Sequence, residues 1–129
     1  QGVPRDDKEA FKWFKLAAVQ GEGIAQVNLG LIYLKGQGVP QDLTEAANWF
    51  WFAADQGVTA AQVKLAMMYE HGRGVLQDYV SAYMWYCLGT LQGNKIARER
   101  FDTMKKKMLP SQIEEAQELV REWLVKHRG

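Results

Sequence analysis

The side chains that could carry nucleophilic chemistry are few: Cys87, Ser81 and Ser111 as nucleophiles, His71 and His127 as bases. A working site would bring one of each within hydrogen-bond reach and add an orienting acid. Their positions argue otherwise. Cys87 falls in mid-helix among aromatic residues, where a buried thiol is inert. His71 ends a helix, where a cation complements the dipole. Ser81 lies in the first turn of a helix, Ser111 is a candidate cap, and His127 sits in a polar tail. Glu114 and Glu115 read as a solvated helix start. His, Cys, Asp and Glu nowhere cluster at metal-ligand spacing, and no glycine-rich motif follows a strand, so the expectation is no catalytic residue, no metal and no cofactor.

What must hold these residues is a repeat. Gly2-Val3-Pro4 recurs as Gly38-Val39-Pro40 and again as Gly74-Val75-Leu76, a period of 36 residues. The same register aligns Asp6, Asp42 and Asp78; Ala10, Ala46 and Ala82; Trp13, Trp49 and Trp85; and Gly21, Gly57 and Gly93. A fixed period of this length marks a stacked repeat protein. Each copy reads as two helices with a wide apolar surface. The predicted helices run over about 7–19, 24–35, 43–56, 59–71, 79–91, 94–107 and 111–127. Asp42 with Glu45 and Asp6 with Glu9 have the spacing of a capping box; Asp78 keeps the cap with Ser81 in the glutamate's place. The last helix has two alternative starts, Ser111 with Glu114 or Leu109 before Pro110. Small residues such as Gly30, Ala46 and Ala47 let helix axes approach, and aromatics such as Trp49-Phe50 and Trp85-Tyr86 fill the volume between them.

The 129 residues, 47% apolar and 24% charged, suffice for one buried core. A net charge of +1 argues against a nucleic-acid surface. No stretch has the length of a membrane span. The lone Cys87 permits no intramolecular disulfide, so cysteine usage implies no particular compartment. The sequence opens on Gln1 without a signal-peptide pattern, from which residues removed upstream are expected.

The run Leu29-Gly30-x-x-Tyr33-x-x-Gly36-x-Gly38-Val39-x-x-Asp42-x-x-x-Ala46-x-x-Trp49-Phe50-x-x-Ala53-Ala54-x-x-Gly57 resembles the Sel-one-like repeat (SLR), a relative of the tetratricopeptide repeat, whose period is about 34 residues. The resemblance covers nearly all of residues 1–107, and the stretch from Pro110 to Trp123 is similar to the terminal helix of bacterial members. It implies an all-α fold, an α/α right-handed superhelix (solenoid) of stacked helix-turn-helix repeats with a C-terminal capping helix. It divides a single solenoid domain, 1–129, into a partial repeat 1–22, repeats 23–58 and 59–94, and capping helices 95–129. It also implies a non-catalytic scaffold that binds a protein or peptide partner. A cysteine-rich branch linked to β-lactam or cell-wall chemistry carries paired cysteines that this chain lacks.

In the related tetratricopeptide family the first helix of each pair lines the concave face. That places Val27, Leu31, Leu34 and Lys35, then Val63, Met67, Glu70 and His71, then Glu99, Thr103 and Lys106 towards a partner, as an apolar groove that turns charged in the third copy. Two readings stay open, since the apolar members can equally pack against their own helices. Trp51 and Met84 break the framework as secondary contact candidates, with packing over a neighbouring helix as the alternative. Asp102 and Lys105 stand where earlier copies have Gly30 or Ala66 and Tyr33 or Tyr69, from which α-helical residues 94–107 are expected to face the C-terminal helix. Trp13 and Phe14 lack a preceding helix, so that end is expected to expose apolar surface suited to weak self-association.

Overall fold

The computed structural model describes residues 6–128; Gly2, Val3 and Pro4, the first occurrence of the repeat motif, lie outside them. Among the described residues there are seven helices and no strand: α1 (Asp7–Val19), α2 (Gly23–Lys35), α3 (Leu43–Asp55), α4 (Thr59–His71), α5 (Tyr79–Leu91), α6 (Lys95–Lys107) and α7 (Pro110–Lys126). Each of α1 to α6 packs on its neighbour in sequence, which is the arrangement of an all-α solenoid.

Local chemistry accounts for the boundaries. The carboxylates of Asp6 and Asp42 accept from the amides of Glu9 and Glu45, both at 3.1 Å, and Asp78 accepts from Ser81 N–H at 3.2 Å. These satisfy orphan donors of α1, α3 and α5. The glutamate half of the expected box takes another role at the first site: Glu9 accepts the Trp13 indole N–H at 2.9 Å. At α7 the second of the alternative starts is the one adopted, with Leu109 as N-cap, Pro110 in the first turn, and Gln112 accepting the Leu109 amide at 2.9 Å. Gly36 and Gly72 close α2 and α4 with φ of 71° and 66°.

The main core runs from α3 to α7 and contains Phe50, Leu65, Tyr83, Tyr86, Leu88, Met104 and Val120. A smaller cluster around Ala18, Ala25 and Leu29 joins α1 to α2, with Phe14 and Tyr33 packed on it. Burying side chains such as Leu65 and Phe50 is worth about 1.5–3 kcal/mol each. One expectation needs correcting. Helix α6 does not take α7 as its principal neighbour; α6 and α7 both lie against α5. The reason is in the sequence of α6: Met104 and Ala97 are its buried residues, while Asp102 and Lys105 face solvent.

Candidate functional site

The last turn of α2, Phe50 of α3, the stretch of α4 from Lys64 to His71 and the turn after it present a shallow pocket lined by Leu34, Phe50, Lys64, Met67, Met68, His71 and Arg73. Its volume of ≈ 120 Å³ is well below the roughly 300–1,000 Å³ of small-molecule sites, and suits a single anchoring side chain. Leu34 and Phe50 form the apolar floor, and Met67, 37% exposed, forms one wall. Three cationic or ionisable groups, Lys64, His71 and Arg73, surround the opening, and no carboxylate lines it. Among the described residues neither Lys64 nor Arg73 has a carboxylate within salt-bridge distance.

The sequence-derived candidates divide accordingly. Leu34, Met67 and His71 meet in this pocket. Lys35 is exposed beside it, and Val27 and Leu31 are half-buried against the core. Val63 is 7% exposed and belongs to the core, as the packing alternative had it. Glu70 departs furthest from expectation: at 2% exposure it presents nothing to a partner. Its carboxylate accepts the Tyr86 hydroxyl at 2.7 Å and the Arg100 Nε–H at 3.2 Å, with Arg100 Nη2 pairing to the second oxygen. Lys107 Nζ lies 3.6 Å and His71 Nε2 3.8 Å from the same carboxylate. Burial opposes ionisation of Glu70, yet the hydrogen bonds from Arg100 and Tyr86, with the charges of Arg100 and His71, leave its pKa lowered. Burial and the hydrogen bond to Glu70 raise the Tyr86 pKa far above that of an ordinary tyrosine.

A second cleft contains both secondary candidates. Trp51, 42% exposed, and Met84 share it with Trp85, Trp123, Asp55 and His127. Here Asp55 ties α7 to α3: it accepts the Trp123 indole N–H at 3.1 Å and stands 3.3 Å from His127 Nε2. The His127 ring stacks on Trp123 with centroids 3.8 Å apart, and its Nδ1 lies 2.8 Å from the Trp123 carbonyl oxygen.

Three of the groups weighed for nucleophilic chemistry have a structural partner. Ser81 Oγ donates to Asp78 at 2.8 Å, His127 is engaged by Asp55, and His71 adjoins Glu70. Burial raises the Cys87 pKa, against a smaller lowering effect of Lys105. No group of three metal-ligating side chains occurs among the described residues. Among them, too, no helix is long and apolar enough to cross a membrane.

With the repeated helix pairs and their inter-repeat pockets in view, comparison with known proteins is decisive. The model of the Sel1 repeat matches residues 1–22, 23–58 and 59–94. The chain belongs to the Sel1 repeat family. Its fold is shared by a protective antigen of uropathogenic Escherichia coli strains, which displays an SLR fold: TM-score 0.90, 37% identity, 98% of this chain and 27% of that one. A Sel1 repeat protein from Oxalobacter formigenes is similar over 78% of this chain and 41% of that one, with a TM-score of 0.75 and 34% identity. The chain thus spans about a quarter of the first of these solved relatives and about two fifths of the second. No curated protein matches it. Sel1 repeat proteins generally mediate protein–protein interaction, and the family is typically a non-catalytic scaffold.

Reading the sequence did not single out the polar residues that lock this Sel1 array. Gln26 Nε2 donates to the Ala18 carbonyl at 3.2 Å and Gln56 Nε2 donates to Gln26 Oε1 at 2.9 Å. One period later Gln62 donates to Ala54 O at 3.1 Å and Gln92 donates to Gln62 at 2.8 Å. Gln41 and Gln77 likewise donate to the carbonyls of Leu34 and Glu70. The signal was present: these glutamines keep the same 36-residue register as the alanines and tryptophans.

Proposed function

We propose that the chain is a non-catalytic scaffold whose concave face, built from α2 and α4, binds a protein or peptide partner. The observation that carries this reading is the pocket at Leu34, Phe50, Met67 and His71, apolar at its floor and open at a size that fits one anchoring side chain. Val27 and Leu31 extend the apolar surface along α2, and Lys35 gives it a polar border. Hydrogen exchange with and without bound partner tests the placement: protection is expected over Gly23–Lys35 and Thr59–His71. Protection confined to α3, α5 and α7, around Trp51 and Met84, would move the interface to the opposite cleft. Met67→Glu should abolish binding with the helical circular-dichroism signal unchanged.

A second reading, a structural or self-associating module, is favoured by α1. Trp13 is 63% exposed there, although its equivalent Trp85 is 4% exposed, and Leu16 and Val19 are exposed on the same helix. A second copy packing on α1 would cover this surface. Light scattering over a concentration series decides it: a strict monomer removes the reading.

A further inference from the structure

The array contains the same inter-repeat position twice, in two chemical versions. Advancing the pocket by one period turns Leu34 into Glu70, Phe50 into Tyr86, Lys64 into Arg100, Met68 into Met104 and His71 into Lys107. In the later version the position is filled from within. Glu70 places its carboxylate against the Tyr86 hydroxyl, clasped by Arg100 and approached by Lys107. In the earlier version Leu34 is too short and apolar to reach the cations, and a pocket remains, with Lys64, His71 and Arg73 at its opening. Lys64 and His71 correspond to Arg100 and Lys107, Arg73 stands where the later copy has Leu109, and the internal carboxylate is missing. His71 is partly served by Glu70 at 3.8 Å; Lys64 and Arg73 have no carboxylate within salt-bridge distance among the described residues.

We propose that this pocket receives the carboxylate of an acidic peptide segment, an Asp or Glu flanked by an apolar residue, which takes the place that Glu70 fills internally one repeat later. This deepens the concave-face reading and rests on it. Charge complementarity selects the occupant: a basic segment would face the like-signed Lys64 and Arg73, and a neutral apolar one would engage neither. The apolar neighbour is required because Leu34, Phe50 and Met67 supply the floor and wall. The cations are arranged to give orientation and rate of encounter, so binding should weaken as salt rises.

The test is selection of a displayed random-peptide library on the immobilised chain, followed by anisotropy titration of the enriched peptide with a fluorescein label. The expected sequences carry Asp or Glu beside an apolar residue, and replacing the acid by its amide should weaken binding roughly tenfold. The double variant Lys64→Gln/Arg73→Gln changes only exposed side chains and should also lose roughly tenfold. Leu34→Glu with Phe50→Tyr copies the later repeat into the earlier one and should close the pocket to peptide. If that variant does not fold, the surface double variant still decides. Enrichment of neutral or basic peptides that bind Lys64→Gln/Arg73→Gln normally but not Met67→Glu overturns the carboxylate and leaves the concave-face reading standing. Binding indifferent to all of these variants, or no enrichment, overturns both. Displacement of the peptide by free glutamate at equal concentration makes the ligand a small acid and overturns the peptide as occupant.

Discussion

Arg100 reaches back from α6 to Glu70 on α4, donating through Nε at 3.2 Å and pairing through Nη2, so that a buried carboxylate fastens one repeat to the next. A buried ion pair is costly to break and cheap to replace, because removing one partner strands a desolvated charge whereas removing both strands nothing. The Arg100 side chain is one-third exposed, and Lys107 stands by, so the loss on Arg100→Ala is set below that of a fully buried pair, at about 2–3 kcal/mol. The preceding repeat shows the apolar replacement already in place, with Leu34 and Phe50 at the equivalent positions. Glu70→Leu with Tyr86→Phe leaves Arg100, one-third exposed, to turn to water as the exposed Lys64 does one repeat earlier, and is therefore expected to change stability by no more than about 1 kcal/mol. Urea unfolding measures both; a double variant less stable than Arg100→Ala would show that the two repeats pack differently.

The same carboxylate gives the chain an acid-sensitive element. The folded-state pKa of Glu70 is lowered, while an unfolded glutamate titrates near about 4.3. The unfolded state thus binds the proton first as pH falls. The contribution of Glu70 is complete above that value and is lost on descending through the folded-state pKa. Comparing wild type with Glu70→Leu/Tyr86→Phe isolates the effect, since the other carboxylates are common to both. Denaturation midpoints should converge or cross as pH is lowered below about 4. Parallel pH profiles would mean that Glu70 has the same pKa in the folded and the unfolded chain.

Gln62 offers a stability prediction of a different kind. It is fully buried, and it both donates to the Ala54 carbonyl and accepts from Gln92. Gln62→Leu keeps the volume but removes both hydrogen bonds, while the Ala54 carbonyl still accepts the Gly57 N–H at 2.9 Å and the exposed Gln92 amide turns to water. A cost of about 1–3 kcal/mol is expected, two hydrogen bonds at about 0.5–1.5 kcal/mol each. Gln92 is exposed, so removing its side chain lets water reach Gln62 Oε1, and Gln92→Ala should cost less than about 1 kcal/mol. Equal losses in thermal unfolding would make the ladder a surface feature.

These two clusters mark the limit of what the sequence made legible. Helix boundaries were readable because they are set locally: Asp6, Asp42 and Asp78 cap whatever helix follows them. The core aromatics were readable because one period repeats them. Glu70 was misplaced because a helical wheel assigns direction and not depth; its burial depends on Arg100, a residue 30 positions away. The paired departures were visible nonetheless, an acid at the Leu34 position and a tyrosine at the Phe50 position. Trp51 and Met84 were flagged as oddities by the repeat, but that they share one cleft with Trp123 and His127 depends on α7, which lies outside the period.

Gly74 links the repeat scaffold to the pocket. Its φ is +76°, and a Cβ built there would stand 2.3 Å from the carbonyl oxygen of Leu43 at the start of α3. The turn after α4 therefore lies directly on the first turn of the helix one pair earlier, as Gly38 lies on Asp7. Left-handed backbone alone costs an alanine about 1–2 kcal/mol. Gly93, with φ +87° and open space where a Cβ would go, isolates that cost. Gly93→Ala is accordingly expected to lose about 1–2 kcal/mol. Gly74→Ala adds a backbone clash that only movement of the turn relieves, and should lose at least about 3 kcal/mol. Because Arg73 at the pocket rim immediately precedes Gly74, the same movement should displace that cation. Gly74→Ala should then weaken the acidic peptide while Gly93→Ala leaves its affinity unchanged. Equal stability losses in the two alanine variants would show that the contact with Leu43 yields without cost.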